Sequence, residues 1–241
     1  MNRSTRLIDY SMMALATVFG VGSIVLLLAM GSFTFVRLGW TESTLLGWDA
    51  ALSIAFFVQH SVMVRRSFRT RLATVVPQRH VGAVYAIASG VVLAVVAVFW
   101  QRSENHLLVL QGISLWNARV CAVAALAVFI WSARAFRSFD PLGLGPIKAH
   151  LRGRPAESPR FVARGPSRWV RHPLYACIIV LIWCAPDLTA DRLLFNVLWT
   201  GWIWLGAMLE ERDLLREFGD AYRDYRRKVP MLIPWRGPVA L

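Results

Sequence analysis

Six apolar blocks, at residues 11–36, 45–64, 82–100, 113–136, 174–187 and 191–209, divide this sequence, and more polar stretches separate them, two of which are rich in arginine. Crossing the hydrocarbon core of a bilayer takes about 20 mostly apolar residues in a helix. Backbone polar groups in lipid can be satisfied only inside helices or closed barrels. The blocks are apolar all round and lack an amphipathic period, the pattern of helices that meet lipid or each other on every face. With 56% hydrophobic residues and a mean hydropathy of +0.48, little chain remains for a separate soluble domain. The expected fold class is therefore an all-α polytopic membrane protein with about five to six transmembrane helices. The fifth block is short and ends at Pro186. It either forms a tight hairpin with the sixth through residues 187–192 or is a re-entrant element. Arg3 and Arg6 precede the first block, which is longer than the ~7–15 residues of a secretory signal core and reads as a membrane helix. Cys121, Cys177 and Cys184 all lie in apolar blocks without a CxxC pair, so they read as small apolar side chains.

The chain has 27 Lys plus Arg against 14 Asp plus Glu, a net charge of +13. In a soluble protein this would suggest nucleic acid as a partner. Here the arginines lie between apolar blocks, where they act as orientation signals beside anionic membrane lipids, and no nucleic-acid partner is expected. They alternate by side. Arg3 and Arg6 precede block one; Arg65, Arg66, Arg69, Arg71 and Arg79 follow block two; Arg134, Arg137, Lys148, Arg152, Arg154, Arg160, Arg164, Arg168 and Arg171 follow block four. The intervening loops carry only Arg37 with Glu42, then Arg102 with Glu104, then Asp187, Asp191 and Arg192. The expected placement is an integral protein of the bacterial inner (plasma) membrane with both termini in the cytoplasm.

Residues 139 to 170 form the longest non-membrane stretch, punctuated by Pro141, Gly143, Gly145, Pro146, Gly153, Pro155, Pro159, Gly165 and Pro166, and read as a loop without helix. After block six a helix is expected to continue over residues 210–218 and to stop at Gly219. A second short helix follows, with Leu214, Phe218, Tyr222 and Tyr225 at spacings of three and four, an aromatic stripe that caps a site or anchors the chain at the interface before Pro230. One integrated membrane domain is expected, with N-terminal helices over residues 1–136 and a loop, helical hairpin and cytoplasmic C-terminal cofactor cap over residues 137–241.

The densest polar group runs straight into the fifth block as Arg164-Gly165-Pro166-Ser167-Arg168-Trp169-Val170-Arg171-His172-Pro173-Leu174-Tyr175. Arg171 offers a forked donor to a carboxylate, Trp169 and Tyr175 offer π faces to a cation, and Pro173 fits a first helical turn. The bland alternative is a helix anchored by Arg and Trp. Glu210-Glu211-Arg212-Asp213 stands where block six leaves the bilayer. Acid near a helix C-terminus opposes the helix dipole, so a partner cation is expected.

Together the two groups resemble the isoprenylcysteine carboxyl methyltransferase superfamily. Arg171, His172, Pro173 and Tyr175 are followed by Glu210, Glu211, Leu214, Phe218, Gly219, Tyr222, Tyr225, Val229 and Pro230 in the family's order and spacing. The resemblance implies S-adenosylmethionine as cofactor on the cytoplasmic side, with substrate entering from the bilayer. It also implies cofactor contacts from Phe161, Val162, Arg171, His172, Pro173, Leu174, Tyr175 and Glu210. Ser167 stands at a cofactor-side position where the family usually has Tyr. Gly143-Leu144-Gly145 lacks the third glycine and the preceding strand of a dinucleotide turn.

Carboxyl methyltransferases of the superfamily carry an Arg one turn before the site glutamate; here that position is Gly206. Without a bidentate donor a carboxylate substrate is poorly held. Gln59-His60-Ser61-x-Met63-x-Arg65, then Phe68, Pro77 and Tyr85, with Phe139-Asp140, Gly143 and the run from Val229 to Pro234, resemble the methanethiol S-methyltransferase branch and its NnrU-like relatives. Arg66 stands where that branch usually has Pro, and Gln78-Arg79-His80 replaces a more acidic stretch. The branch implies methyl transfer to a small thiol, with methanethiol giving dimethyl sulfide, or another lipid-soluble acceptor. His60 is the candidate base for the thiol proton; a hydrogen-bonded interfacial histidine with no catalytic part is the alternative. His80, His106 and His150 show no metal-ligand spacing, and no metal is expected. Rival readings are a phospholipid N-methyltransferase or carboxyl methyltransferase of the same superfamily, a sterol-reductase-like oxidoreductase, and a non-catalytic NnrU-like membrane protein.

Overall fold

The computed structural model describes residues 3–31, 34–136, 140–155 and 161–239. Arg137, Phe139, Pro159 and Arg160, named above, lie outside them. The described residues form helices α1 (Arg3–Ala29), α2 (Glu42–Val64), α3 (Arg66–Leu72), α4 (Val81–Phe99), α5 (Gly112–Ala135), α6 (Gly145–Leu151), α7 (Pro173–Trp183), α8 (Ala190–Phe218) and α9 (Asp220–Lys228). Strands β1 (His106–Val109) and β2 (Asp187–Thr189) form one antiparallel pair. Helices α1, α2, α4, α5 and α8 are long and apolar enough to cross a membrane. Much of their apolar surface is bare, with Leu28 75% and Val123 69% exposed, as lipid-facing helices require. The protein is an integral membrane protein of the expected all-α class. With 11 residues, α7 rises ~16 Å, about half a hydrocarbon core.

The chain packs as two units, residues 1–103 with 140–158 and residues 104–139 with 159–241. In the first, α1 lies against α4 through small residues. A Cβ on Gly90 would sit 2.4 Å from the Phe19 carbonyl oxygen, and Ala16, Ala83 and Ala86 are buried beside it. Gly82, Ala86 and Gly90 recur every four residues, the spacing that lets membrane helices approach backbone to backbone. A polar group ties α1 to the turn just ahead of α4, with Asp9 of α1 fully buried and its carboxylate 3.0 Å from Arg79 Nε and 2.6 Å from His80 Nε2.

The stretch at residues 139–170 is not wholly loop, because it contains α6. Asp140 accepts hydrogen bonds from the Leu144 and Gly145 amides, at 2.8 and 2.6 Å. Pro146 stands in the first turn, where a missing N–H costs nothing. A proline that punctuates a loop and one that opens a helix look alike in sequence. Gly143, at φ +65°, packs so closely that a Cβ there would lie 2.2 Å from the Gly82 carbonyl carbon. Its positive φ and this close packing account for that glycine.

In the second unit, β1 and β2 pair His106 with Thr189 and Val109 with Asp187. They tie the start of α5 to the start of α8. Along α8 the buried residues include Asp191, Phe195, Trp199, Ile203, Ala207 and Glu211, a stripe at intervals of four that begins beside the strand pair and ends at the opposite end of the helix. Helix α7 stops at Trp183, ahead of Pro186, whose carbonyl accepts the Leu110 amide at 2.8 Å.

Candidate functional site

A cavity of about 420 Å³ opens in the second unit where α7 begins, α8 ends and α9 folds back. Helical phase builds it. Successive residues of an α-helix point about 100° apart, so adjacent Glu210 and Glu211 face different ways. Glu211 continues the buried stripe of α8 and is 4% exposed. Glu210 heads a second stripe with Leu214 and Glu217, at i, i+4 and i+7, and all three line the cavity.

Glu211 is held on both oxygens. Arg171 Nε donates to Oε1 at 2.6 Å, His172 Nε2 lies 3.2 Å from the same oxygen, and Arg226 Nε stands 3.3 Å from Oε2. Arg171 also donates through Nη1 to the carbonyls of Arg226 and Val229. Its backbone amide donates to the Pro230 carbonyl at 2.8 Å, and the His172 amide donates to that of Met231 at 3.1 Å. Arg171 thus pins the segment after α9 to the start of α7, and the carboxylate it grips is the protein's own Glu211.

Glu210 faces the cavity with its side chain 46% exposed. It accepts a hydrogen bond from the Tyr175 hydroxyl at 2.8 Å. The Tyr175 ring stacks on His172, with centroids 5.4 Å apart and planes 3° from parallel. Pro173 opens α7 and fixes that turn, which puts Leu174 and Tyr175 on the cavity wall.

The opposite wall is aromatic. Phe161 touches Phe218, Tyr222 and Tyr225 at centroid distances of 5.6, 5.5 and 5.1 Å. The Tyr225 hydroxyl donates to the Ser167 carbonyl at 2.7 Å, which fixes the loop ahead of α7 against α9. Burial pushes the hydroxyls of Tyr222 and Tyr225 well above the usual tyrosine range, so both remain neutral donors.

The nine residues to which sequence assigned cofactor contacts, Phe161, Val162, Ser167, Arg171, His172, Pro173, Leu174, Tyr175 and Glu210, all line this one cavity. Sequence reading did not single out Phe136, Ala163 or Glu217, which line it too. The spacing of Glu217 from Glu210 carried the signal, being two turns along one face of a helix. His60 belongs to the first unit. It lies on α2, half-buried, with its Nε2 2.7 Å from the Tyr85 hydroxyl and its ring 5.2 Å from that of Phe56. Nearby Gln59 donates to Met63 sulfur at 2.9 Å and stands 3.5 Å from the Ser89 hydroxyl.

The chain matches the NnrU protein family over residues 50–229. It is 36% identical over 192 residues to Methanethiol S-methyltransferase 1 of Bradyrhizobium diazoefficiens, covering 78% of this chain and 66% of that protein. It is 36% identical over 189 residues to Methanethiol S-methyltransferase of Mycobacterium tuberculosis, covering 75% of this chain and 74% of that protein. A third similar protein is Methanethiol S-methyltransferase of Pseudomonas sp., 33% identical over 196 residues, 78% of this chain and 73% of the other. No solved structure matches the chain. The match takes in α7, α8 and α9, whose ends enclose the cavity, and on this agreement the chain belongs to the NnrU protein family.

Proposed function

We propose that this protein is a membrane-embedded, S-adenosylmethionine-dependent methyltransferase that methylates a small thiol, with methanethiol giving dimethyl sulfide as the leading reaction. The observation that supports it most directly is one cavity lined by Arg171, His172, Pro173, Tyr175 and Glu210 of the Arg-His-Pro-x-Tyr and Glu-Glu pattern, in a chain similar to three methanethiol S-methyltransferases. The residues fit the cofactor. A volume of about 420 Å³ falls within the ~300–1,000 Å³ of small-molecule sites. Half-exposed Glu210 offers a carboxylate to an ammonium, and the Phe161, Phe218 and Tyr222 cluster offers faces to an adenine ring.

Held by Glu210, Tyr175 and the Phe161 cluster, S-adenosylmethionine would supply an activated sulfonium methyl to a thiolate sulfur and would depart as a neutral thioether. The protein must hold the cofactor, exclude water and take the thiol proton. His172, Tyr175 and Glu210 form the polar wall, and the aromatic cap closes the other side. His60 is the proposed acceptor of the proton, since a free thiol has a pKa of about 8.5 and needs a base near neutrality. The proposed setting is the bacterial inner membrane, with the cavity open to the cytoplasm.

Calorimetry on detergent-purified protein tests the cofactor, with binding expected for wild type and lost in His172→Ala and Glu210→Ala. Headspace detection of dimethyl sulfide from supplied methanethiol tests the acceptor. Folded wild type that bound no S-adenosylmethionine would overturn the reading. His60→Gln should leave cofactor affinity unchanged, slow turnover by ~10²-fold near neutral pH, and recover part of that rate as rising pH ionises the thiol. An unaltered rate would remove His60 from the mechanism.

A further inference from the structure

Among the described residues, Tyr222 is the only one lining the cavity with a buried side-chain polar atom that lacks a hydrogen-bond partner. The residue is 1% exposed. Its ring is fixed edge-on against Phe161 at 5.5 Å and beside Tyr225 at 5.8 Å. Tyr225, one turn further along α9, spends its hydroxyl on the Ser167 carbonyl. The two tyrosines therefore divide their work: one holds the cap together and the other keeps a donor unspent.

A buried hydroxyl without a partner destabilises the fold, and phenylalanine would fill the same space without that cost. Such a group in a ligand cavity marks a contact completed by something other than the chain. The charges around it narrow the choice. Glu211 acts most strongly on the Tyr222 hydroxyl, ahead of Arg171, Tyr225 and Glu210, but its charge is already matched by Arg171 and Arg226. Glu210 suits an ammonium, and a buried, neutral O–H with no partner suits an acceptor that carries negative charge. An amino-acid tail presents both groups on one carbon.

We propose that Tyr222 is a cofactor-binding residue whose hydroxyl donates a hydrogen bond to the α-carboxylate of the S-adenosylmethionine methionyl tail, while Glu210 takes the α-ammonium. This rests on the S-adenosylmethionine reading given above. Tyr222 thereby selects for an intact amino-acid tail and against adenosyl compounds that lack the carboxylate.

Tyr222→Phe removes only the oxygen and keeps the ring. Calorimetry on full-length protein in detergent, with S-adenosylmethionine, S-adenosylhomocysteine and decarboxylated S-adenosylmethionine, reads the effect together with the melting temperature of the ligand-free protein. The variant should bind the first two ligands about tenfold more weakly or worse and the decarboxylated compound as well as wild type does. Its melting temperature should be equal to or above that of wild type, because an unsatisfied hydroxyl is gone. A purely structural tyrosine would lower stability and weaken all three ligands together, and that result would overturn the proposal. Unchanged affinity for S-adenosylmethionine would overturn it while leaving the methyltransferase reading intact. Failure of folded wild type to bind either carboxylate-bearing ligand would overturn both.

Discussion

Two adjacent glutamates at the end of α8 do different work because a helix turns about 100° between them. Glu211 is enclosed by Arg171, His172 and Arg226, and Glu210 is presented to the cavity. Their replacements should separate. Arg171 gives the buried Glu211 its shortest contact and also bonds two carbonyls at the end of α9, so Arg171→Ala is expected to cost about 3–5 kcal/mol, read as a lower melting temperature and faster proteolysis after α9. Glu210→Ala should abolish cofactor binding in calorimetry with little change in melting. Equal loss of stability in both variants would show that Glu210 also holds the fold. Tyr225 adds a pH dependence whose sign follows from burial. Its hydroxyl is raised in the folded protein, so the stabilisation is fully present below the unfolded value of about 10 and is lost as pH rises through the folded value. Wild type should therefore lose stability above pH ~10 more steeply than Tyr225→Phe, measured by thermal melts across that window. Equal slopes would place that tyrosine in water. The residue types of this site were legible in sequence, but their pairing was not. Arg171 reads as a donor awaiting a carboxylate, and only the phase of α8 makes Glu211 the one it receives.

Helix α8 carries two stripes, one buried at intervals of four and one along the cavity at 210, 214 and 217. Each stripe needs the helix to run unbroken out of the apolar block and then to stop abruptly. Gly219 makes the stop, with φ +54° and ψ −126°, a conformation that side chains resist. Gly219→Ala meets no neighbouring atom within 4 Å, so its cost is backbone strain alone, about 1–3 kcal/mol. Because that turn aims Tyr222 and Tyr225 at Phe161, the variant should also bind cofactor more weakly, by a calorimetric loss that mutation of an exposed α9 residue such as Arg223 does not reproduce. Element by element, sequence reading was strong where a single property decides. Apolar length located the five long helices, and glycine located the end of α8. It was weak where helix-start geometry or partners distant in the chain decide. The first helix begins at Arg3, ahead of its apolar block, because polar residues do not stop a helix. Helix α6 exists because Asp140 caps it. The β1–β2 pair joins two loops 81 residues apart, with His106 Nδ1 2.8 Å from the Asp187 carboxylate, a distance no local pattern encodes.

At the scale of the whole chain, the net charge of +13 is spent unevenly. Arg65, Arg66, Arg69 and Arg71 crowd the segment after α2, and the long stretch after α5 is similarly basic. The loops before α2, before α5 and before α8 carry few basic residues, and part of their charge is used internally. Asp191 is buried against the Thr189 hydroxyl at 2.6 Å, and Asp187 pairs with His106. Basic loops are retained on the cytoplasmic side, so the orientation proposed above follows from charge and not from apolar length. It also bears on chemistry. The cavity lies where α8 meets α9, and residues 229–231 and Val239 are bonded back to residues 168–172 beside it, so the C-terminal segment and the cavity share a side. A cofactor made in the cytoplasm can reach the cavity only if that side is cytoplasmic. Fluorescent protein fused after Leu241 should therefore fold and fluoresce in intact bacteria, and alkaline phosphatase inserted after Asn105, in the loop before α5, should be active. Neutralising Arg65, Arg66, Arg69 and Arg71 together should weaken both signals, because about four positive charges that anchor one loop would be gone. Phosphatase activity from the C-terminal position would turn the cavity away from the cytoplasm, and a cofactor supplied from there could not be its ligand.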